Sequence, residues 1–196
     1  MWQDFLGRFT KLGDPLLLLL GSLGVFFYLW IADERRDLAR SLASALALCV
    51  LLTVAGKVVL HLVRWNDGNS LRLLSPSGHV AIGTGFYGCC AIMLTARSNR
   101  AVRVVVCTGT ALFLGVLASS RFMLGLHSVP EIMVAFAIGG ASLVVFTMES
   151  MPYWRIPLNP RHVVSLVILI FVAYSMHRVD GESLIIRVVQ TINANL

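Results

Sequence analysis

Apolar runs long enough to cross a membrane recur from Leu16 into the C-terminal part of the chain, and only short charged clusters separate them. A helical stretch of about 20 apolar residues matches the hydrocarbon core of a bilayer. In water, such runs would need a polar surface to cover them. Here 57% of the 196 residues are hydrophobic and only 13% are charged, with a mean hydropathy of +0.80. A soluble domain carries about 25% charged residues. A soluble fold, a disordered chain and a large soluble domain on one anchor are therefore excluded. The expectation is an all-α polytopic membrane helix bundle, with six transmembrane helices, short loops and a single domain over 1–196.

The six spans are expected at about 15–32, 41–63, 78–96, 101–119, 129–148 and 162–177. Arg8 and Lys11 precede the run Leu16–Ile31 as they would in a signal peptide. No small-x-small cleavage site follows, so the run reads as a retained first span. Met1–Gly13 and Ser183–Ile192 mix apolar and charged residues and read as short interfacial helices. Asp33–Arg40 is expected as a turn, and 120–128 as a connection holding Arg121 and His127. The cysteines Cys49, Cys89, Cys90 and Cys107 lie in apolar runs without metal-ligand spacing and read as small buried residues.

The net charge is +6, yet no basic run or nucleic-acid-reading motif is present, so a nucleic-acid partner is not expected. The cations serve either anionic lipid heads or a phosphorylated substrate, and position separates the two roles. Six spans put both termini, the 2–3 connection and the 4–5 connection on one side of the membrane. Lys57, His61, Arg64, Arg72, Ser77, His79, Arg121, His127 and Glu131 all fall at that side. Ionisable residues at membrane depth are costly and mark candidate functional sites.

Three groups carry the chemistry. Lys57, His61 and Arg64 recur at i, i+4 and i+7, which places them on one helix face. They either snorkel at the span end or meet an anion. Ser75-Pro76-Ser77-Gly78-His79 opens span three. Ser77 suits an N-cap, Gly78 admits close backbone approach, and a helix N-terminus is a ready anion site. An ordinary helix start with an interfacial His reads the same way. Ser120-Arg121 and His127 follow, with Glu131 four residues after His127. Glu131 either orients the His127 ring or closes a capping box with Ser128, or does both. Together these groups hold the histidines His79 and His127, three cations and a helix N-terminus, an inventory suited to phosphoryl transfer without a metal or other cofactor.

The order Lys57-x6-Arg64, Pro76-Ser77-Gly78-His79 and Ser120-Arg121-x5-His127-x3-Glu131 resembles the type 2 phosphatidic acid phosphatase superfamily, and Gly125 matches that family's Gly-x-His. The motifs span 57–131. The resemblance implies that His127 is the nucleophile and forms a phosphohistidine, and that His79 is the general acid. It implies that Lys57, Arg64 and Arg121 hold phosphate oxygens, with Ser77 and Gly78 adding hydrogen bonds. Glu131 stands where the family usually has Asp, and Trp65 where a Pro often follows the Arg. His61 and Arg72 lie outside the motifs and either tune headgroup choice or are interfacial.

With the proposed site residues set aside, arginines are denser on the face opposite the site: Arg35, Arg36, Arg40, Arg97, Arg100, Arg103, Arg155 and Arg161. By the positive-inside rule that face is cytoplasmic. The site then faces outward, toward the periplasm if the protein sits in a Gram-negative inner membrane. The expected substrate is a lipid phosphate: isoprenoid diphosphate, glycerophospholipid phosphate or lipid A phosphate. A phosphotransferase with the same histidines, a lipid transporter and an inactive member of the family are the competing readings.

Overall fold

The computed structural model describes residues 6–7, 9–32, 35–67 and 75–151, with the side chains of 32 and 60–67 outside that description. Every regular element among them is helical. A 3-10 turn at Lys11–Gly13 leads into α1 (Pro15–Phe27), which a π turn at Tyr28–Ala32 continues. Then come α2 (Arg36–Asp67), α3 (Gly78–Thr95), α4 (Arg100–Met123) and α5 (Val129–Ser150). Helices α2 to α5 are long and apolar enough to cross a membrane, and Pro15–Ile31 is a shorter apolar helix. The expected sixth span and C-terminal interfacial helix lie outside the described residues.

Local chemistry sets where these helices begin. Asp14 caps α1 by accepting the N–H groups of Leu16 at 2.8 Å and Leu17 at 3.3 Å. Pro15 follows at a position where its missing N–H costs nothing. Asn99 caps α4 by accepting the Val102 N–H at 2.9 Å. Two expected boundaries move. The segment expected as a turn at Asp33–Arg40 already contains the first turn of α2, where Asp37 complements the helix dipole and pairs with Arg40 at 3.4 Å. The segment expected as a connection from 120 is helical through Met123, so Arg121 sits inside α4.

Contacts between helices give their directions. Cys49 Sγ donates to the Ala81 carbonyl at 3.3 Å, while farther along α2 Gly56 packs on Pro76. Helices α2 and α3 therefore run antiparallel. Gly21 faces Phe86, and Pro15 faces Gly78, so α1 runs parallel to α3. Gly139 faces Ala81 and Thr84, and Leu143 faces Gly88, so α5 also runs parallel to α3. One end of the bundle thus gathers the N-termini of α1, α3 and α5 with the C-termini of α2 and α4. Arg36, Arg40, Arg97, Arg100 and Arg103 fall at the other end.

Helix α3 is the centre of the bundle, with 83% of its residues buried. The other long helices turn apolar side chains outward, including Leu51 and Val58 on α2, Val105 and Leu112 on α4, and Met133 and Met148 on α5. Apolar outer faces on helices of this length make the chain an integral membrane protein. Cys49, Cys89 and Cys90 are buried, as expected. Cys107 is not: it lies on the exposed face of α4.

Helices α3 and α5 meet at backbone distance. A Cβ added to Gly139 would lie 2.5 Å from Thr84 Cβ and 2.8 Å from the Ala81 carbonyl oxygen, whereas one added to the adjacent Gly140 would meet nothing within 4 Å. Overpacking of this kind costs about 1–3 kcal/mol. Gly139→Ala is expected to lower the unfolding temperature of the purified protein in detergent, while Gly140→Ala leaves it near the wild-type value.

Candidate active site

The turn between α4 and α5 shapes the first part of the site. Helix α4 ends in a Schellman motif: the Gly125 N–H bonds the Phe122 carbonyl at 2.9 Å, and the Leu126 N–H bonds the Arg121 carbonyl at 3.1 Å. The His127 N–H also points at the Arg121 carbonyl, at 3.4 Å. Gly125 makes the reversal with φ of +68°, a left-handed conformation that costs other L-residues about 1–2 kcal/mol. Arg121 and His127 are thereby locked to one backbone turn. The Gly-x-His spacing seen in the sequence has this physical basis.

Helix α5 begins on the far side of the turn. Glu131 accepts the Ser128 N–H at 2.7 Å and the Ser128 hydroxyl at 3.0 Å, both through Oε2. The same oxygen lies 3.5 Å from His127 Nδ1. That is an ion-pair distance rather than a formed hydrogen bond, and Nδ1 is buried with no hydrogen bond among the described residues. Glu131 therefore caps the helix, and the capping oxygen also faces the ring. With Nδ1 turned to the carboxylate, Nε2 is the nitrogen left for chemistry.

Burial lowers the His127 pKa from its ordinary value, and the charges of Arg121 and Lys57 push it the same way. The nearby Glu131 carboxylate opposes the shift without reversing it. The ring is therefore neutral, with a free lone pair, at physiological pH.

The second part is the start of α3. Ser77 occupies the N-cap position, but its hydroxyl makes no capping bond, contrary to the capping role expected from the sequence. Ser77 is fully buried, and its Oγ has no hydrogen-bond partner among the described residues. The first-turn N–H groups of α3 lie beside it, without acceptors inside the helix. Gly78 packs between Pro15 and Thr53, and His79 is buried in the same turn.

The third part is α2. Gly56 rests against Pro76, with a built Cβ 3.1 Å from Pro76 Cγ, and this brings the neighbouring Lys57 to the level of the Ser77 turn. Lys57 itself is exposed. Arg64 and His61 lie farther along the same helix, and their side chains are outside the described residues, as is Arg72. His79, His127, Arg121 and Lys57 are near enough that the charges of the other three all act on His79. The structure thus gathers Lys57, Ser77, Gly78, His79, Arg121, His127 and Glu131 at one end of the bundle.

A fourth part was not expected as site wall. The N-terminal segment, read as an interfacial helix and helical at residues 6–7 and 9–10, also packs onto the site. Thr10 is buried, and its Oγ1 lies 3.5 Å from Arg121 Nη1. A Cβ on Gly13 would meet Leu117 at 2.8 Å and His79 Cβ at 3.3 Å. The Tyr87 hydroxyl donates to the Leu12 carbonyl at 2.7 Å and fastens the segment to α3. The Asp14-Pro15 helix start was legible in the sequence as a local signal. The contact partners of Thr10 and Gly13 were not.

The family model of the PAP2 superfamily matches residues 61–156, a range that contains both histidine motifs. Members of the PAP2 superfamily are phosphatases, which supports phosphoric-ester hydrolysis as the kind of chemistry at this site. No curated protein and no solved structure matches the chain.

Gly125→Ala is expected to destabilise the protein by about 1–2 kcal/mol through the left-handed turn alone, since a built Cβ meets nothing within 4 Å. Gly125→Asn should recover part of that loss, because Asn tolerates this conformation best among the other residues. Unfolding temperatures of the two variants in detergent check the order.

Proposed function

We propose that this protein is a metal-independent membrane lipid phosphatase that works through a phosphohistidine intermediate. The observation that carries the reading is the α4–α5 turn, which fixes His127 next to Arg121 at the same end of the bundle as Ser77 and His79. His127 Nε2 attacks phosphorus, so an N–P bond forms as the bond to the lipid oxygen breaks. His79, which the negative charge of the bound phosphate holds protonated, gives its proton to that leaving oxygen. Neutral again, His79 takes a proton from water, the hydroxide breaks the N–P bond, and inorganic phosphate leaves with both histidines restored.

The phosphate oxygens are held by Lys57, Arg64 and Arg121, by the Ser77 hydroxyl and by the N–H groups at Gly78 and His79. Arg121 is 2% exposed. A cation held in so dry a place acts strongly on the charge that develops on the phosphoryl oxygens. Glu131 faces Nδ1 of His127 and stabilises the charged ring during transfer.

The bundle is read as one domain over the whole chain, with the sixth span near 162–177. The arginine-rich ends of α2 and α4 support an outward-facing site, by the positive-inside rule. In a bacterial inner membrane that side is the periplasm. A site at membrane depth suits a phosphate on a lipid: an isoprenoid diphosphate, a glycerophospholipid phosphate or lipid A.

Phosphate release in detergent, measured against a panel of lipid phosphates without an added acceptor, tests the reading. His127→Ala is expected to reduce release to background, and Glu131→Ala to lower it less completely. His79→Ala should cost about 10²–10⁴ in rate on a lipid substrate and much less on an aryl phosphate, whose leaving group needs no proton. Wild-type activity should persist in EDTA; its complete loss would sink the metal-free mechanism.

The pH profile follows from the His127 shift. Protonation at low pH removes the nucleophile, and a lowered pKa moves that loss downward. The acid limb of kcat/KM is expected below the roughly 6.5 of an unperturbed imidazole.

A further inference from the structure

Glu131 makes one contact that neither helix capping nor orientation of His127 requires. Its second oxygen, Oε1, accepts the backbone N–H of Ser75 at 2.9 Å, across 56 positions of sequence. The two oxygens of one carboxylate therefore face different segments. Oε2 serves the Ser128–His127 side, and Oε1 serves the strand of chain that enters α3.

We infer that Glu131 is a positioning strap that sets the Ser75–Gly78 phosphate cradle against the His127 turn. Ser75 is the last residue before Ser77 with an N–H to give, because Pro76 has none. Pro76 is fully buried and packs against Gly56, beside Lys57. A bond at Ser75 thus fixes the approach of Ser77 and of the first α3 N–H groups from the α5 side, while Pro76 fixes it from the α2 side. Hydrogen bonds to a charged acceptor are the stronger kind, and this one joins two segments that share no covalent neighbour.

The reach of the side chain matters. Asp would be shorter by one methylene, about 1.5 Å, and could not hold Ser75 while its other oxygen stayed on Ser128. Gln keeps the reach and, with its one oxygen on the Ser75 N–H, keeps the strap, while it gives up the acceptor at the Ser128 N–H and loses the charge. The two substitutions therefore separate the strap from the effect of charge on His127. The groups that act on that ring are Arg121, Lys57 and Glu131, with His79 near enough to feel its charge in turn.

The catalytic consequence rests on the phosphatase reading, whereas the strap does not. The test uses the full chain in detergent, with hydrogen–deuterium exchange at Ser75, steady-state kinetics on a lipid phosphate and inhibition by orthovanadate. Glu131→Asp is expected to raise Ser75 exchange by about five- to tenfold, the loss of one hydrogen bond. It should raise KM and the vanadate inhibition constant several-fold and leave the acid limb of the pH profile in place. Glu131→Gln should instead move that limb to lower pH, because the carboxylate no longer favours the charged ring.

Wild-type exchange at Ser75 in Glu131→Asp would overturn the strap, as would a loss confined to kcat. If the wild type releases phosphate from no lipid while Ser75 protection still depends on Glu131, the strap stands and the phosphatase reading falls.

Discussion

The approach of α3 to α5 at Gly139 is the constraint on which the rest of the molecule depends. With no side chain at 139, the α5 backbone comes up to the Ala81 carbonyl and the Thr84 side chain. Lipid supplies no hydrophobic push between helices, so close van der Waals packing of small residues must hold the bundle together. Because α3 and α5 run parallel, that contact also sets their N-termini at the same level. The Ser77 turn and the Glu131 turn then face one another without a loop having to span the distance.

Charge placement follows from the same geometry. Arg121 is buried at the end of α4, where Thr10 of the N-terminal segment meets it and the Schellman turn carries its carbonyl to the His127 backbone. A buried guanidinium is costly alone. It lies at the same end of the bundle as the two histidines and Ser77, whose hydroxyl makes no capping bond. The carboxylate of Glu131 stands on the α5 side, held by its bonds to Ser128 and Ser75. The histidines, Arg121 and Glu131 thus share one end of a bundle whose outer faces are apolar.

Much of this was legible in the sequence. The lengths and apolar character of the runs gave spans that α1 to α5 follow closely, and the three motifs named seven residues that meet at one end. The capping reading of Glu131 holds, and the same oxygen that serves Ser128 lies 3.5 Å from His127 Nδ1. Boundaries were less legible. Arg36–Arg40 reads as a charged turn, yet Asp37 and Arg40 pair along a helix. The helical place of Arg121 was hidden because helix continuation depends on the Gly125 turn two residues past Met123. Ser77 reads as a cap, and only the geometry showed its hydroxyl turned away from that duty.

By itself, the sequence determined that this chain lives in a membrane and that its two histidine motifs stand at the ends of apolar runs. Both follow from counting, since apolar length sets the spans and the motifs fall at their edges. The tertiary structure alone decided which of those residues touch. Thr10 against Arg121, Gly13 against His79, and Ser75 on Glu131 are pairings between distant segments, fixed by how closely helices pack. No local propensity encodes them, because a hydrogen bond across 56 positions exists only once α3 and α5 have met.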